Sequence, residues 1–181
     1  FSPEGTSDLK KTCGPEDIFH YAYAIFHCPQ YRSRYAEFLK VEFPRLPLTG
    51  DKTLFAQLCR LGAELGKLHL LEQVPSPQAT YPQAGTNLIE RTGGKAYKPP
   101  TANGPGRVYI NDKQYFTNVP PEVWQFHIGG YQVCEKWLKD RKGRTLTFDD
   151  IEHYRKITEA CRQTLRLMGE IDDAIPSWPL A

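Results

Sequence analysis

Apolar residues recur along this chain with two different periods, and the change of period divides it into helical and β-rich stretches. Ile18, Tyr21, Ala22, Ile25 and Phe26 follow Pro15 at helical spacing, with Glu16 and Asp17 placed to complement the N-terminal dipole. Pro29 opens a second short helix through Tyr31, Tyr35, Phe38 and Leu39. The run Phe43-Pro44-Arg45-Leu46-Pro47-Leu48 then forces an extended connector, because each proline biases its predecessor away from helical geometry. From Asp51 to about Leu71 the spacing of Leu54, Leu58, Leu61, Leu65 and Leu68 predicts a long helix with a coiled-coil-type seam. A last helix follows Thr147, with Asp150 at the capping-box position, and carries Ile151, Tyr154, Ile157, Cys161, Leu165, Met168, Ile171 and Ile175. The two long seams are expected to face each other as core.

Between the long helices the period changes. Pro75 to Gly106 is rich in proline and glycine, which predicts loops around short strands such as Asn87 to Arg91. Arg107 to Ile110 and Gln114 to Thr117 are β-type runs joined by Asn111-Asp112-Lys113, and they predict a hairpin. Alternation turns Val108 and Ile110 to the core and Arg107 and Tyr109 to the other face. Phe126 to Arg144 predicts a two-faced helix from Tyr131 to Lys142. Tyr131, Val133, Cys134, Trp137 and Leu138 share its apolar arc and Lys136, Lys139 and Lys142 the neighbouring one. Gly129-Gly130 precede it and a left-handed cap at Gly143 follows. The fold class expected is α+β: a helical N-terminal part and two long packed helices flanking a small antiparallel β region with a hairpin. Residues 1–14 read as a disordered or linker segment, 15–181 as one domain, and 72–128 as its loop-rich insert.

Charge adds a direction to this picture. The net charge is only +2, but Lys95 to Thr145 holds nine cations against four anions, a local +5 in a chain whose remainder is −3. Such a basic segment is the footprint of a polyanion-binding face, although Lys and Arg in a last helical turn also serve the helix dipole. The five cysteines are scattered and never form C-x-x-C, which fits a reducing cytoplasm. The histidines supply no metal spacing, so no metal site is expected, and His20 and His27 read as packing residues. No apolar run approaches eighteen residues, so no membrane span is expected. The chain begins with Phe1 and its only methionine is Met168, which reads as a piece of a longer polypeptide. No phosphate-binding loop, nucleophile elbow, H-E-x-x-H or dinucleotide fingerprint occurs, and Pro120-Pro121 lacks the neighbours of a methyltransferase motif. No catalytic residue is assigned.

The segments PEDIFHYAYAIFHCPQYRSRYAEFLKVEFPRLPLT, GRVYINDKQYFTNVPPEVWQFHIGGYQVCEKWLKDRKGRTLTFDDIEHY and CRQTLRLMGEIDDAI resemble the C-terminal specificity domain of type ISP restriction-modification enzymes. The resemblance covers nearly the whole chain from Pro15 and is weakest over Val74 to Gly106. It implies a parent polypeptide with nuclease, ATP-driven translocase and adenine-N6 DNA methyltransferase parts, and a target-recognition domain that reads double-stranded DNA. S-adenosylmethionine, ATP and Mg belong to that parent; no cofactor is expected in this chain. Its partners would be DNA and the methyltransferase domain of the same polypeptide.

Residue chemistry then suggests roles. Lys136, Lys139, Arg141, Lys142 and Arg144 would neutralise phosphates. Arg107, Asn111, Lys113, Gln114 and Gln132 would reach base edges, with Tyr109 or Tyr115 packing on sugar or base. Two other readings stay open: a docking module without sequence reading, and a single-strand binder that stacks bases on tyrosines. A hydrolase using His127 or His153 ranks behind both.

Overall fold

The computed structural model describes residues 5, 7–9 and 12–180 and divides the chain into two compact units, residues 1–73 with 164–181, and residues 74–163. Half of the expected linker over residues 1–14 lies outside the described residues. Where that stretch is described, the amides of Ser7 and Gly14 donate to the Asp17 carboxylate at 2.9 and 2.7 Å.

The first unit is helical: α1 (Pro15–His27), α2 (Pro29–Arg34), α3 (Ala36–Leu39), α4 (Lys52–His69) and the part of α7 (Phe148–Ala174) that begins at Thr164. Asp51 caps α4 by accepting from the amides of Thr53 and Leu54 at 2.7 and 3.2 Å. All five seam leucines of α4 are buried, as their spacing predicts. The helix touches α7 where His69 meets Thr164, and α1 packs along its length. Gly62 allows this, since its missing side chain leaves room for the backbone of His20 and Ala24. Of the expected α7 stripe, Ile151, Tyr154, Cys161, Ile171 and Ile175 are buried and Ile157, Leu165 and Met168 half-buried, with Leu167 buried beside them. The proline connector is held by two buried tyrosines, with the Tyr21 hydroxyl donating to Pro47 O at 2.8 Å and that of Tyr31 to Arg45 O at 2.7 Å.

His20 and His27, expected to pack, lie against the rings of Phe19 and Tyr23. His69 bridges the Tyr23 hydroxyl at 2.7 Å and Thr164 Oγ1 at 2.9 Å, and the His27 ring lies 5.3 Å away. A neutral imidazole accepts at one nitrogen and donates from the other, so it suits both partners. Burial lowers the pKa of His69 to about 4, with His27 adding to the effect.

The second unit is built on an antiparallel sheet in the order β1 (Tyr97–Lys98), β2 (Arg107–Tyr109), β3 (Tyr115–Thr117). The expected β2–β3 hairpin forms, with Arg107 paired to Thr117 and Tyr109 to Tyr115. Val108, Ile110 and Phe116 are fully buried on its inner face. There Phe116 meets Tyr154 of α7 at 4.5 Å between ring centroids, and Trp137 meets Tyr154 at 4.9 Å. Thr80 pairs with the free edge of β3, and the strand expected at Asn87 to Arg91 reduces to one bridge between Leu88 and Thr145. The polar side of α7 serves as a frame: Arg155 donates to Ala79 O at 2.7 Å and Arg162 to Asn118 O at 2.7 Å.

One expected element has a different shape. After α5 (Pro121–Trp124), the helix expected from Tyr131 is preceded by a hairpin of β4 (His127–Ile128) and β5 (Tyr131–Gln132), and α6 spans only Val133–Lys139. Gly129-Gly130 between β-type neighbours forms a two-residue hairpin loop, with Gly129 at φ +58°. The Val133 amide donates to Phe126 O at 3.1 Å, and the Gln132 side chain donates to Trp124 O. Tyr131 therefore leaves the apolar arc and stands 63% exposed. The cap at Gly143 forms as expected, at φ +80°.

Candidate nucleic-acid interface

The division into units sorts the charge. Residues 74–163 hold 13 Lys and Arg against 9 Asp and Glu, net +4, and the other unit holds 10 against 12, net −2. Within the basic unit, strand alternation projects Lys98, Arg107, Tyr109, Tyr115 and Thr117 from the sheet face opposite the core. The Tyr109 and Tyr115 rings lie 5.0 Å apart. Lys98 Nζ sits 4.7 Å from the centre of the Tyr109 ring, and the Arg107 guanidinium 4.7 Å from that of Tyr115. These distances are cation–π contacts. The result is one array, Lys98–Tyr109–Tyr115–Arg107. The Tyr109 side chain raises the pKa of Arg107, whose buried Nε has no hydrogen-bond partner among the described residues. That polar face combines positive charge, flat apolar surface and a forked donor.

Two residues assigned to base reading have another task. Gln114 is 1% exposed, and all four hydrogen-bonding positions of its amide are taken. Its Oε1 accepts from Asn87 N at 2.7 Å and Asn111 Nδ2 at 3.0 Å. Its Nε2 donates to Asn87 Oδ1 at 2.7 Å and Gln83 O at 3.1 Å. Asn111, also buried, accepts at Oδ1 from the amides of Lys113 and Gln114 at 3.0 and 2.7 Å and donates to Leu88 O at 3.1 Å. Both residues are structural, because a turn that folds back over the 83–88 loop needs polar groups to satisfy buried amides. Only Asp112 and Lys113 remain exposed at the tip. Gln132 is likewise engaged, at the base of the second hairpin.

The cations of α6 are already partnered. Lys136 pairs with Asp140, and Lys139 Nζ lies 3.8 Å from Glu135. Arg141 lies over the Trp137 ring at 3.9 Å and 4.0 Å from Asp150. Solvent-accessible pairs such as Lys136–Asp140 and Lys139–Glu135 contribute about 0–1 kcal/mol each, so a phosphate can replace the acid. Lys142 and Arg144 are exposed in the turn that follows, and Lys142 has no ion-pair partner among the described residues. Lys98 escaped the sequence reading because a two-residue strand carries no alternation signal. Its pairing with Arg107 alone places it on the outer face. Among the described residues no group of three or more His, Cys, Asp or Glu gathers to hold a metal, and no helix is long and apolar enough to cross a membrane.

Basic where the sheet displays it, and α+β in fold, the chain is by class a specificity domain. It belongs to the family described as "Type ISP C-terminal specificity domain", whose sequence model matches residues 2–170. Solved structures of similar fold include the DrdV–DNA complex, with a TM-score of 0.64, 24% identity, and coverage of 86% of this chain and 18% of that one. A nuclease-deletion mutant of the type ISP restriction-modification enzyme LlaGI, in complex with a DNA substrate mimic, matches at 0.62 and 19% identity, over 93% of this chain and 14% of that one. The ATP-dependent type ISP enzyme LlaBIII bound to DNA matches at 0.63 and 19%, over 96% and 12%. This chain thus spans less than a fifth of the length of each. No curated protein matches it.

Proposed function

We propose that this domain reads the sequence of double-stranded DNA with the outer face of its three-stranded sheet, as the specificity part of a type ISP restriction-modification enzyme. The observation that carries this reading is the Lys98–Tyr109–Tyr115–Arg107 array, a rigid cationic and aromatic surface on the basic unit. A sheet ribbon fits a major groove, and Arg107 suits a guanine edge. The same tyrosines could support single-strand stacking, but each ring already carries a cation of its own on one face, which favours the duplex reading. The three similar structures are DNA complexes by their descriptions, which supports the same ligand class. In this proposal the parent polypeptide works in the cytoplasm. It supplies an adjoining adenine-N6 methyltransferase domain and the chemistry of S-adenosylmethionine, ATP and Mg, and this domain supplies the address.

The test begins by selecting a preferred duplex from a randomised pool with the full chain. Fluorescence anisotropy then compares selected and scrambled duplexes for the parent, Arg107→Ala and Tyr115→Ala. The gap between the two duplexes should shrink by about 1–3 kcal/mol in Arg107→Ala. Preference of the parent for single strands, or an unchanged gap in both variants, would refute the reading.

A further inference from the structure

Beside the sheet, three backbone segments meet around an open cleft of about 420 Å³ lined by Glu90, Arg91, Thr92, Lys95 and Lys142. Arg91 and Thr92 do not stand out in the sequence, and only the fold brings them and Lys95 to Lys142. The amides of Glu90 and Arg91 both donate to Ile110 O, at 2.7 and 2.8 Å, which ties this segment to the end of β2. Ile89 N donates to Arg144 O at 3.0 Å and Gly143 N to Ile89 O at 2.8 Å, so the turn carrying Lys142 is bonded to the segment carrying Arg91. The 3-10 turn at Gly93–Lys95 closes the third side, and the next residue, Ala96, accepts from Tyr109 N at 2.7 Å. Three cations thus face one cavity from a hydrogen-bonded frame rather than from free loop ends.

Partner accounting separates this cluster from the α6 lysines. Arg91 pairs with Asp112 across one side, and Glu90 lies on the wall. Glu135, near Gly93, is engaged with Lys139. Lys95 and Lys142 have no ion-pair partner among the described residues, and both are exposed. Two uncompensated ammonium groups beside a guanidinium and a hydroxyl form a site for a tetrahedral dianion or a phosphodiester.

We infer that this cleft is a phosphate seat. Resting on the duplex reading above, it grips a backbone phosphate of the DNA whose bases the adjoining sheet face reads, and so sets the register of that reading. Lys95 and Lys142 supply the charge, Arg91 the forked donor, and Thr92 a hydroxyl. Phosphate contacts of this kind position a protein without carrying sequence information.

The experiment is a salt titration of duplex binding by the full chain between 50 and 200 mM KCl, using the selected and scrambled duplexes. The variants are the Lys95→Gln/Lys142→Gln double, the Lys95→Arg/Lys142→Arg double, and Lys67→Gln as a control on the acidic unit. Each phosphate contact contributes about 0.9 to the slope of log affinity against log salt, so the Gln double should lose about 1.8. It should weaken both duplexes by on the order of 10-fold or more and leave their ratio within about twofold, whereas the Arg double keeps the parent slope. If the parent binds and the Gln double matches it in slope and affinity, the seat is refuted while the duplex reading stands. A loss confined to the selected duplex also refutes it, because it would make the cleft a base reader. If the parent binds no duplex at 50 mM KCl, the duplex reading falls and the seat falls with it.

Discussion

A side-chain carbon added to Gly62 would lie 1.8 Å from the carbonyl oxygen of His20, so α1 and α4 meet backbone to backbone at this point. No rotamer relieves a clash with main-chain atoms, and one helix would have to move. Gly62→Ala should destabilise the first unit by about 1–3 kcal/mol or more, read as a lower midpoint in urea. Gly66 lies one turn along the same helix with nothing within 4 Å of the added carbon. Gly66→Ala should therefore stabilise, by about 0.5–1 kcal/mol, since alanine is the better helix former. Equal responses from the two glycines would contradict the α1–α4 contact.

Gln114 offers a test of structural against reading roles. Truncating it strips partners from the Asn87 amide and from the Asn111 side chain at once. Gln114→Ala should cost about 2–4 kcal/mol in chemical denaturation, a few buried hydrogen bonds' worth. Gly85→Ala should fail in the same way, because its new carbon would fall 2.6 Å from the Gln114 amide carbon. A Gln114→Ala protein of parental stability that has lost DNA discrimination would restore the base-reading assignment.

The depressed pKa of His69 gives a signed dependence on pH. Its folded value of about 4 lies below the value of about 6.5 expected in the unfolded chain, so acid favours the unfolded state. The stability held above the unfolded pKa is lost as pH falls from about 6.5 toward 4. Solvent screening of this half-buried ring limits the loss to about 1–2 kcal/mol. Melting temperatures measured from pH 7.5 to 4.5 should fall more steeply in the parent than in His69→Gln. Parallel curves would show that other groups, carboxylates among them, account for the whole acid response.

The sequence disclosed elements more readily than neighbours. The cap at Thr147, the five buried leucines of α4 and the β2–β3 hairpin are local or periodic features, and each was legible. That α1 packs along α4 was not, because an amphipathic stripe does not say which other stripe it prefers; the one sign was a glycine in the seam. The Gly129-Gly130 hairpin was missed for a related reason. Tyr131 fits a helical apolar arc and a strand equally well, and the pairing with Ile128 decided for the strand. Among site residues, Arg107, Tyr109 and Tyr115 reach the outer face by simple alternation. Residue type alone misassigned Asn111 and Gln114, since an amide that suits an adenine edge suits a buried turn as well. Arg91, Lys95 and Lys98 gain their places only through pairings among short segments, which no period announces.

The buried amide of Gln114 also has a consequence for engineering. Asn111, Gln114 and Gly85 form a closed lock beneath the hairpin, whereas Lys98, Arg107, Tyr109, Tyr115 and Thr117 stand on the opposite side with few framework duties. A library built to retarget this domain can randomise the second set while freezing the first, and its members should keep the parent's expression and solubility. Diversifying the whole loop from Tyr109 to Tyr115 would instead yield mostly unfolded clones, and selection for a new target sequence would be spent on rescuing the scaffold.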